Sequence, residues 1–242
     1  MNYTYEQVAK MIDHSLLNPT LVLTDLEKGL IVARDYQVAS VCIMPHYLKR
    51  CSAVLAGSNV NPSTTIGFPH GINTTAIKVK EAEQALADGG IELDMVANIS
   101  RVLSGDWDYV RADIGAVVDT AHARGAKVKV IFENCYLQDS HKIRLCEICG
   151  EVNADWVKTS TGFGTGGATN EDLALMRKYA PAHVQVKAAG GVRTLDRLLE
   201  VRALGVTRCG ATATVAILDD CRQRLGLPAI ISGVQTHHPI GY

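Results

Sequence analysis

The chain has 242 residues, of which 47% are hydrophobic and 20% charged, a composition typical of a globular protein with a sizeable core. The formal net charge of -1 excludes the strongly basic surface of a nucleic-acid-binding protein. No apolar run reaches the roughly 18 residues that would indicate a membrane span, and Met1 to Glu6 are too polar for a signal peptide. We therefore expect a cytoplasmic protein that binds neither a membrane nor nucleic acid.

Short apolar runs alternate with amphipathic stretches along the whole chain. Aromatic residues make up only 5% of the sequence, so buried strands must be built mainly from Val, Leu, Ile and Ala. Eight runs are predicted as strands: Met11–His14, Ser40–Ile43, Ser63–Ile66, Glu92–Val96, Lys127–Phe132, Asp155–Thr159, Val184–Ala188 and Thr207–Gly210. Six stretches between them are predicted as helices: Leu26–Tyr36, Ala76–Ala87, Val110–Arg124, Ser140–Gly150, Glu171–Tyr179 and Leu195–Leu204.

Residue types at the expected helix ends agree with these predictions. Thr24 and Asp25 are residues that cap helix N-termini, and we predict that they cap the first of these helices. Gly89, Gly125 and Gly205 follow predicted helices at the point where a residue of left-handed conformation commonly ends a helix.

Eight strands that alternate with helices imply parallel pairing and right-handed crossovers. Eight such units are also the number that closes a barrel, so the sequence predicts an α/β fold, a single (β/α)8 TIM barrel over residues 1–242. An open, doubly wound sheet is the alternative. Residues 226–242 contain two prolines and no helical pattern, and we predict a flexible C-terminal tail there. In a barrel of this kind the chemistry takes place at the C-terminal ends of the strands.

Three charged residues interrupt strands that should otherwise be buried. Asp94 lies in the fourth predicted strand, Lys158 near the end of the sixth and Lys187 near the end of the seventh. An unpaired buried charge costs on the order of several kcal/mol, so these residues need partners or a function. A structural salt bridge explains one lysine and one aspartate. Two lysines and a carboxylate at the same rim favour amine catalysis instead.

Amine catalysis requires a lysine that has lost its proton, because only the neutral amine attacks a carbonyl. Burial and a neighbouring ammonium group both lower a lysine pKa from its usual value of about 10.4. Neighbouring strands lie about 5 Å apart, so Lys158 and Lys187 can approach each other. We predict Lys158 as the nucleophile and Lys187 as the group that lowers its pKa and relays protons. Asp94 is predicted to accept and return protons through water.

Glycine-rich loops follow the last three predicted strands, and Thr194 is a plausible cap for the helix after the seventh. Backbone N–H groups of such loops, at the N-termini of helices, form the recurrent phosphate site of barrels. A single Gly-Gly pair would be weak evidence, because tight turns also favour glycine. The three loops together predict a phosphate site at Gly162, Gly190, Gly191, Gly210, Ala211, Thr212 and Ala213.

Asp13, Cys42 and the loop Glu133–Cys135 also lie near predicted strand ends. Asp13 is predicted to contact the substrate or to hold the lysine network. Cys42 is interpreted as a small buried core residue, with reaction toward an aldehyde as the alternative. The loop Glu133–Cys135 could orient a water molecule. Tyr242 ends the tail, either as part of a frayed terminus or as a lid that assists proton transfer.

The seven cysteines are scattered, and we expect them to be reduced thiols. Cys146 and Cys149 have C-x-x-C spacing, but they lie within a predicted helix and are interpreted as ordinary helix residues. The eight histidines lack the spacing of a zinc site. We therefore expect a site without a metal and without a cofactor.

Several of these segments carry motifs of a known family. They are Ile12–Pro19, Ala39–Cys42, Thr65–Pro69, Glu92–Val96, Val157–Phe163, Thr165–Thr169 and Val186–Thr194. In these motifs the chain resembles the deoxyribose-phosphate aldolases. The resemblance runs in order over nearly the whole sequence, and the two lysine motifs are highly specific.

This resemblance implies a class I aldolase, a metal-free aldehyde-lyase of deoxyribonucleotide catabolism. Such enzymes reversibly cleave 2-deoxy-D-ribose 5-phosphate to D-glyceraldehyde 3-phosphate and acetaldehyde. It also implies roles for residues: Lys158 forms the Schiff base, Lys187 is the second lysine and Asp94 shuttles protons. The phosphate loops of the family correspond to Gly162, Gly190–Gly191 and Gly210–Ala213. We expect a homo-oligomer, either a dimer or a tetramer.

The chain departs from the family pattern at three places. Thr212 and Ala213 stand where a serine pair is usual, Ala189 where a serine is common, and Met44 where many members have a polar residue. Because these hydroxyl groups are missing, an aldolase that acts on a different phosphorylated sugar is an alternative hypothesis. Two other hypotheses are a metal-free barrel isomerase or epimerase, and a non-catalytic barrel that binds sugar phosphates.

Overall fold

The computed structural model describes residues 3–230 and residue 232. Within this part of the chain the strands are β1 (Ile12–Leu16), β2 (Ser40–Ile43), β3 (Asn61–Ile66), β4 (Glu92–Val96), β5 (Lys127–Ile131), β6 (Trp156–Lys158), β7 (Gln185–Ala189) and β8 (Arg208–Ala211). The helices are α1 (Tyr5–Ala9), α2 (Leu23–Asp35), α3 (Leu48–Leu55), α4 (Thr75–Ala87), α5 (Ile99–Leu103), α6 (Trp107–His122), α7 (Asp139–Glu151), α8 (Asn170–Tyr179), α9 (Leu195–Ala203) and α10 (Thr214–Arg224). Single 3-10 turns cover Pro45–Tyr47 and Asn134–Tyr136.

The strands form one closed parallel barrel in which each strand pairs with the next along the chain and β8 pairs with β1. This confirms the predicted (β/α)8 barrel and excludes the open sheet. The register places Lys158 opposite Lys187 on β6 and β7, and Asp94 opposite Lys129 on β4 and β5. The charged residues therefore lie at neighbouring levels of the barrel.

The apolar core lies outside the barrel, between the strands and the helices. Alternate residues of the strands point outward and are fully buried there, among them Val41, Leu93, Val128, Val130, Val157 and Val186. The helices bury one apolar face against them, with residues such as Leu30, Ile114, Val117, Leu145, Leu198 and Ile217. Because this outer layer supplies the hydrophobic stabilisation, the interior of the barrel is free to hold polar groups.

All eight predicted strands are present, but the helix predictions are incomplete. The short helices α1, α3 and α5 were missed, since helices of five to eight residues depend on packing rather than on their own periodicity. The range of α10, with 11 residues, was not predicted either. The predicted caps Thr24 and Asp25 are wrong: α2 begins at Leu23 with Val22 at its N-cap position, so both residues lie inside the first turn. Gly89, Gly125 and Gly205 do have positive φ angles, as predicted.

The C-terminal segment begins directly after α10. Arg222 donates a hydrogen bond to the carbonyl of Pro228, 2.7 Å away, and Ser232 donates one to Asp35, 3.1 Å away. Tyr242, the predicted lid residue, lies outside the described residues. None of the described helices is long and apolar enough to cross a membrane.

Candidate active site

Asp94 on β4 brings both predicted lysines together. Its Oδ2 atom accepts hydrogen bonds from Lys158 Nζ at 2.7 Å and from Lys187 Nζ at 2.8 Å. Its Oδ1 atom accepts one from Lys129 Nζ at 2.8 Å. All four side chains are buried. Asp94, the predicted proton acceptor, therefore contacts both lysines directly, whereas the prediction from the sequence was that it acts through water.

The two lysines differ in how firmly their positive charge is held. Within the described residues Lys158 has one carboxylate partner, Asp94, whereas Lys187 also forms an ion pair with Asp13, at 2.5 Å. Burial lowers the pKa of Lys158 and the Lys187 ammonium lowers it further, against the opposing effect of Asp94. Burial also acts to lower the pKa of Lys187, but Asp13 and Asp94 outweigh it and raise that pKa. The arrangement favours Lys158 as the lysine that loses its proton.

Asp13 on β1 was predicted either to contact the substrate or to hold the lysine network. Its carboxylate contacts Lys187 and also Arg208 Nη1, at 2.5 Å. Burial alone would raise the pKa of Asp13, but Lys187, Lys129 and Arg208 hold it below its usual value. Asp13 therefore holds the lysine network, and it also lines the cavity described below.

A second layer of charges, which was not predicted from the sequence, lies beneath this site. Lys129 Nζ contacts Glu92 at 2.6 Å in addition to Asp94. Arg208 Nη2 contacts the other oxygen of Glu92, at 2.9 Å. Burial opposes the charge of Lys129, yet its neighbouring carboxylates, Asp94 first, raise its pKa. The alternation in Lys127-Val128-Lys129-Val130 puts two lysines on the same side of β5, but it does not tell whether that side faces the barrel interior.

The indole of Trp156 forms an apolar floor for this layer. The cationic groups of Lys127, Lys129 and Arg208 lie 5.4, 5.6 and 5.1 Å from its ring centroid. Such distances allow cation–π attraction. The indole N–H donates to Thr207 Oγ1 at 3.0 Å, so the polar end of the ring is satisfied. Trp156 therefore supports the charged layer from the side of the barrel opposite the mouth.

A cavity of about 400 Å³ opens above the lysines at the C-terminal ends of the strands. Lys158 and Lys187 lie at its base together with Asp13 and Cys42. Six of the seven predicted phosphate-site residues line it: Gly162, Gly190, Gly191, Gly210, Ala211 and Thr212. The seventh, Ala213, follows Thr212 at the N-cap position of α10. The three glycine-rich loops thus meet around one cavity, as expected for an anion site at helix N-termini.

The loops after β6 and β7 touch each other through their backbones. Ala168 N–H donates to Gly190 O at 3.1 Å. A Cβ atom on Gly190 would lie 2.8 Å from Gly167 Cα, and Gly190 has a φ angle of +82°. Both the left-handed conformation and the close approach therefore require glycine at this position. Thr194 accepts from Arg197 N–H and caps α9, as predicted.

Glu133, in the loop after β5, is buried and has a left-handed φ angle of 57°. Its carboxylate accepts hydrogen bonds from the backbone N–H and the hydroxyl of Thr161. Thr161 Oγ1 in turn accepts from Phe163 N–H at 3.0 Å. Glu133 therefore supports the start of the loop after β6. The predicted role of the loop Glu133–Cys135 in orienting water stays a prediction.

Cys42 is buried at the base of the cavity, and burial raises the pKa of its thiol to about 11. The thiol is therefore protonated at neutral pH and is a poor nucleophile in that state. Cys146 and Cys149 are buried within α7, as predicted. Among the described residues, no cluster of three or more His, Cys, Asp or Glu side chains is arranged to hold a metal ion.

Comparisons with known proteins identify the family of the chain. Residues 7–218 match the description "DeoC/LacD family aldolase". The chain is 66% identical over 229 residues to a deoxyribose-phosphate aldolase from Rhodopirellula baltica, and the match covers 95% of each protein. A solved putative deoxyribose-phosphate aldolase from Coccidioides immitis has a TM-score of 0.86 at 34% identity, covering 91% of this chain and 87% of that one. The tetrameric deoxyribose phosphate aldolase from Aeropyrum pernix has a TM-score of 0.83 at 29% identity, covering 91% and 93%. The chain belongs to the DeoC/LacD family of aldolases.

Proposed function

We propose that the chain is a class I aldolase that reversibly cleaves 2-deoxy-D-ribose 5-phosphate to D-glyceraldehyde 3-phosphate and acetaldehyde. The observation that carries this proposal is the buried pair Lys158 and Lys187 on one oxygen of Asp94, at the base of a cavity with three glycine-rich loops. Lys158 is the nucleophile, Lys187 keeps its charge, and Asp94 moves protons between them. We take deoxyribose 5-phosphate as the substrate because the similar proteins are named deoxyribose-phosphate aldolases.

The first step is the formation of a Schiff base. Neutral Lys158 adds to the aldehyde carbon of the open-chain sugar phosphate and forms a carbon–nitrogen bond. The former carbonyl oxygen takes up protons and leaves as water, which produces an iminium ion. Lys187 donates a proton in this step and Asp94 accepts one. These roles are supported by the contacts of Asp94 Oδ2, which accepts hydrogen bonds from both Lys158 and Lys187.

The second step breaks the bond between the second and third carbons of the sugar. The iminium ion accepts the electron pair of that bond and becomes an enamine, while the hydroxyl on the third carbon loses its proton. Glyceraldehyde 3-phosphate then leaves. The enamine takes up a proton at its terminal carbon, and water hydrolyses the resulting iminium ion to acetaldehyde and free Lys158. Synthesis follows the same steps in reverse.

The phosphate end of the substrate is assigned to the loops around Gly162, Gly190–Gly191 and Gly210–Ala213. Backbone N–H groups at helix N-termini bind a phosphate dianion without needing a charged side chain. Thr212 supplies a hydroxyl where the family usually has serine, while Ala189 and Ala213 supply none. A hydrogen bond to a charged group contributes about 1.5–3 kcal/mol. Because the altered loop has fewer hydroxyl donors for phosphate, a different phosphorylated deoxysugar is the alternative substrate.

Borohydride trapping tests the proposal directly. The protein is incubated with acetaldehyde, reduced, digested and mapped by mass spectrometry, and the expected adduct is a single ethyl group on Lys158. A retro-aldol assay on deoxyribose 5-phosphate, deoxyribose and other sugar phosphates then measures the substrate preference. An adduct found only at another lysine would refute the assignment of the nucleophile. Faster cleavage of a different sugar phosphate would replace the substrate and leave the chemistry intact.

The same proposal covers assembly and cellular context. We place the whole chain, residues 1–242, in one aldolase domain with residues 226–242 as a flexible tail. A homo-oligomer, dimer or tetramer, is supported by the tetrameric relative from Aeropyrum pernix. The scattered cysteines and near-neutral charge suit the cytoplasm, where deoxyribonucleotide breakdown would supply the substrate. Size-exclusion chromatography with light scattering measures the oligomeric state.

A further inference from the structure

Seven charged side chains meet in the described interior of the barrel. The cations are Lys129, Lys158, Lys187 and Arg208, and the carboxylates are Asp13, Glu92 and Asp94. With every group charged, this cluster has four positive and three negative charges and one surplus positive charge. Surplus charge in a water-poor interior is costly, so one cation is under pressure to lose its proton.

We propose that Lys129, Glu92 and Arg208 are positioning residues, because the network that they complete is electrically balanced when the nucleophilic lysine is neutral. The inference rests on the proposed function, in which that lysine attacks as a free amine. None of the three needs to touch the substrate. They act through Asp94 and Asp13, whose carboxylates join the lower layer of charges to the upper one.

The pattern of contacts selects Lys158 as the cation that gives up its proton. Lys129 contacts three carboxylates, and Lys187 and Arg208 contact two each, whereas Lys158 contacts only Asp94 among the described residues. A guanidinium does not deprotonate in proteins, so Arg208 stays charged. Each cation except Lys158 is therefore held in its charged form by at least two partners.

Other titratable groups around Lys158 do not alter this balance. Cys42, on β2, has a protonated thiol and adds no charge. His14 on β1 faces Thr214 instead, and burial lowers its pKa to about 4, so it is neutral. Glu133 bonds to Thr161 behind the loop after β6. Arg193 lines the outer part of the cavity, where it is exposed and screened by solvent.

Opposite changes in the lower layer should move the reaction in opposite directions along the pH axis. Glu92→Gln removes a negative charge and leaves two surplus positive charges, so Lys158 should lose its proton at lower pH. Lys129→Met removes a positive charge and balances the cluster with Lys158 charged, so its proton should be lost at higher pH. We expect each midpoint to move by roughly one to two pH units. The double variant restores one surplus positive charge and should return the midpoint toward wild type.

The measurement is the rate of imine formation with acetaldehyde, trapped by borohydride, as a function of pH. This readout separates protonation from stability, because a merely structural role would lower the yield of folded protein without shifting the midpoint. Arg208→Gln removes a cation at the far end of the network and takes the place of Lys129→Met if that variant does not fold. Lys78→Met is the matched control: it removes a fully buried lysine whose partner, Asp113, lies outside the barrel.

Midpoints that move down for Glu92→Gln, up for Lys129→Met or Arg208→Gln, and back in the double variant support the proposal. Shifts in the same direction, or unshifted midpoints in variants whose Lys158 is still labelled, overturn it and leave the proposed function standing. A wild-type protein that forms no adduct on Lys158 refutes the proposed function as well. A shift of similar size in Lys78→Met would also overturn the proposal, because the effect would then not depend on the barrel interior.

Discussion

Lys158 and Lys187 donate to the same oxygen of Asp94, but Lys187 is additionally paired with Asp13. This extra contact distinguishes the two lysines, which are register partners on adjacent strands. Burial lowers the pKa of Lys158, whereas the two carboxylates raise that of Lys187. The lysine whose positive charge is held less firmly thus lies beside one that two carboxylates keep charged, and imine formation requires a neutral amine.

Replacing each lysine by methionine should give different defects. Lys158→Met removes the nucleophile, and we expect retro-aldol turnover to fall below about a thousandth of the wild-type rate at every pH. Lys187→Met removes the cation that lowers the Lys158 pKa and leaves Lys158 as the remaining lysine on Asp94 Oδ2, while Lys129 stays on Oδ1. Turnover should fall about a hundredfold near neutral pH and recover in part as the pH is raised. A flat pH dependence for Lys187→Met would contradict this division of roles.

Two adjacent glycines provide a matched test of the phosphate loops. Gly190→Ala introduces a methyl group 2.8 Å from Gly167 Cα, whereas the space around Gly191 is open, and both residues have positive φ angles, +82° and +89°. Both variants carry backbone strain of about 1 kcal/mol or more, but only Gly190→Ala should push the two loops apart. We expect KM for the phosphorylated substrate to rise at least about tenfold more in Gly190→Ala. Trapping of acetaldehyde, which has no phosphate, should be similar in the two variants.

His14 should make the stability of the fold depend on pH. Burial lowers its pKa from 6.5 to about 4, so between these values the unfolded chain binds a proton that the folded chain does not. The free energy of unfolding therefore falls as the pH is lowered through this window, by about 2 kcal/mol between roughly pH 7 and pH 5. Urea unfolding at both pH values measures this loss. His14→Asn should show a smaller loss, and an equal loss in the variant would rule out His14 as the cause.

The buried pair Lys78–Asp113 should contribute to stability but not to chemistry. Lys78 Nζ contacts Asp113 Oδ2 at 2.5 Å and the Val96 carbonyl at 2.9 Å, and both charged side chains are fully buried. Removing Lys78 leaves the buried charge of Asp113 without its lysine partner, so Lys78→Met should lower the free energy of unfolding by about 3–5 kcal/mol. The double variant Lys78→Met/Asp113→Leu should recover much of this loss. Activity per folded molecule should not change, and a specific loss of activity would contradict the assignment.

The sequence predicted the barrel and the upper layer of the site for physical reasons. Short runs of apolar or β-branched residues marked the strands, and in a barrel the residues at strand ends share one rim. Asp94, Lys158 and Lys187 stood out because a charge within such a run needs an explanation. The requirements of amine catalysis then assigned their roles, and the resemblance to a known family implied the same roles.

The lower layer could not be predicted in the same way. Lys129 and Arg208 look like ordinary solvent-facing residues of short strands, because strand alternation does not tell which face points into the barrel. Their partners come from other strands, with Arg208 contacting Glu92 across 116 positions of sequence. The caps Thr24 and Asp25 failed for a related reason: packing of Leu26 and Leu30 sets where α2 lies, and the helix extends back to Leu23.

The joined carboxylates and cations inside the barrel also bear on how this protein can evolve. A substitution that removes the charge at any one of the seven positions changes the electrostatic environment of the other six, so its effect depends on the residues already present there. Single changes should therefore be purged, while paired exchanges that restore the count, such as the loss of Lys129 together with Glu92, should be tolerated. Homologous chains are expected to inherit the cluster as a unit, and its members to covary rather than drift independently.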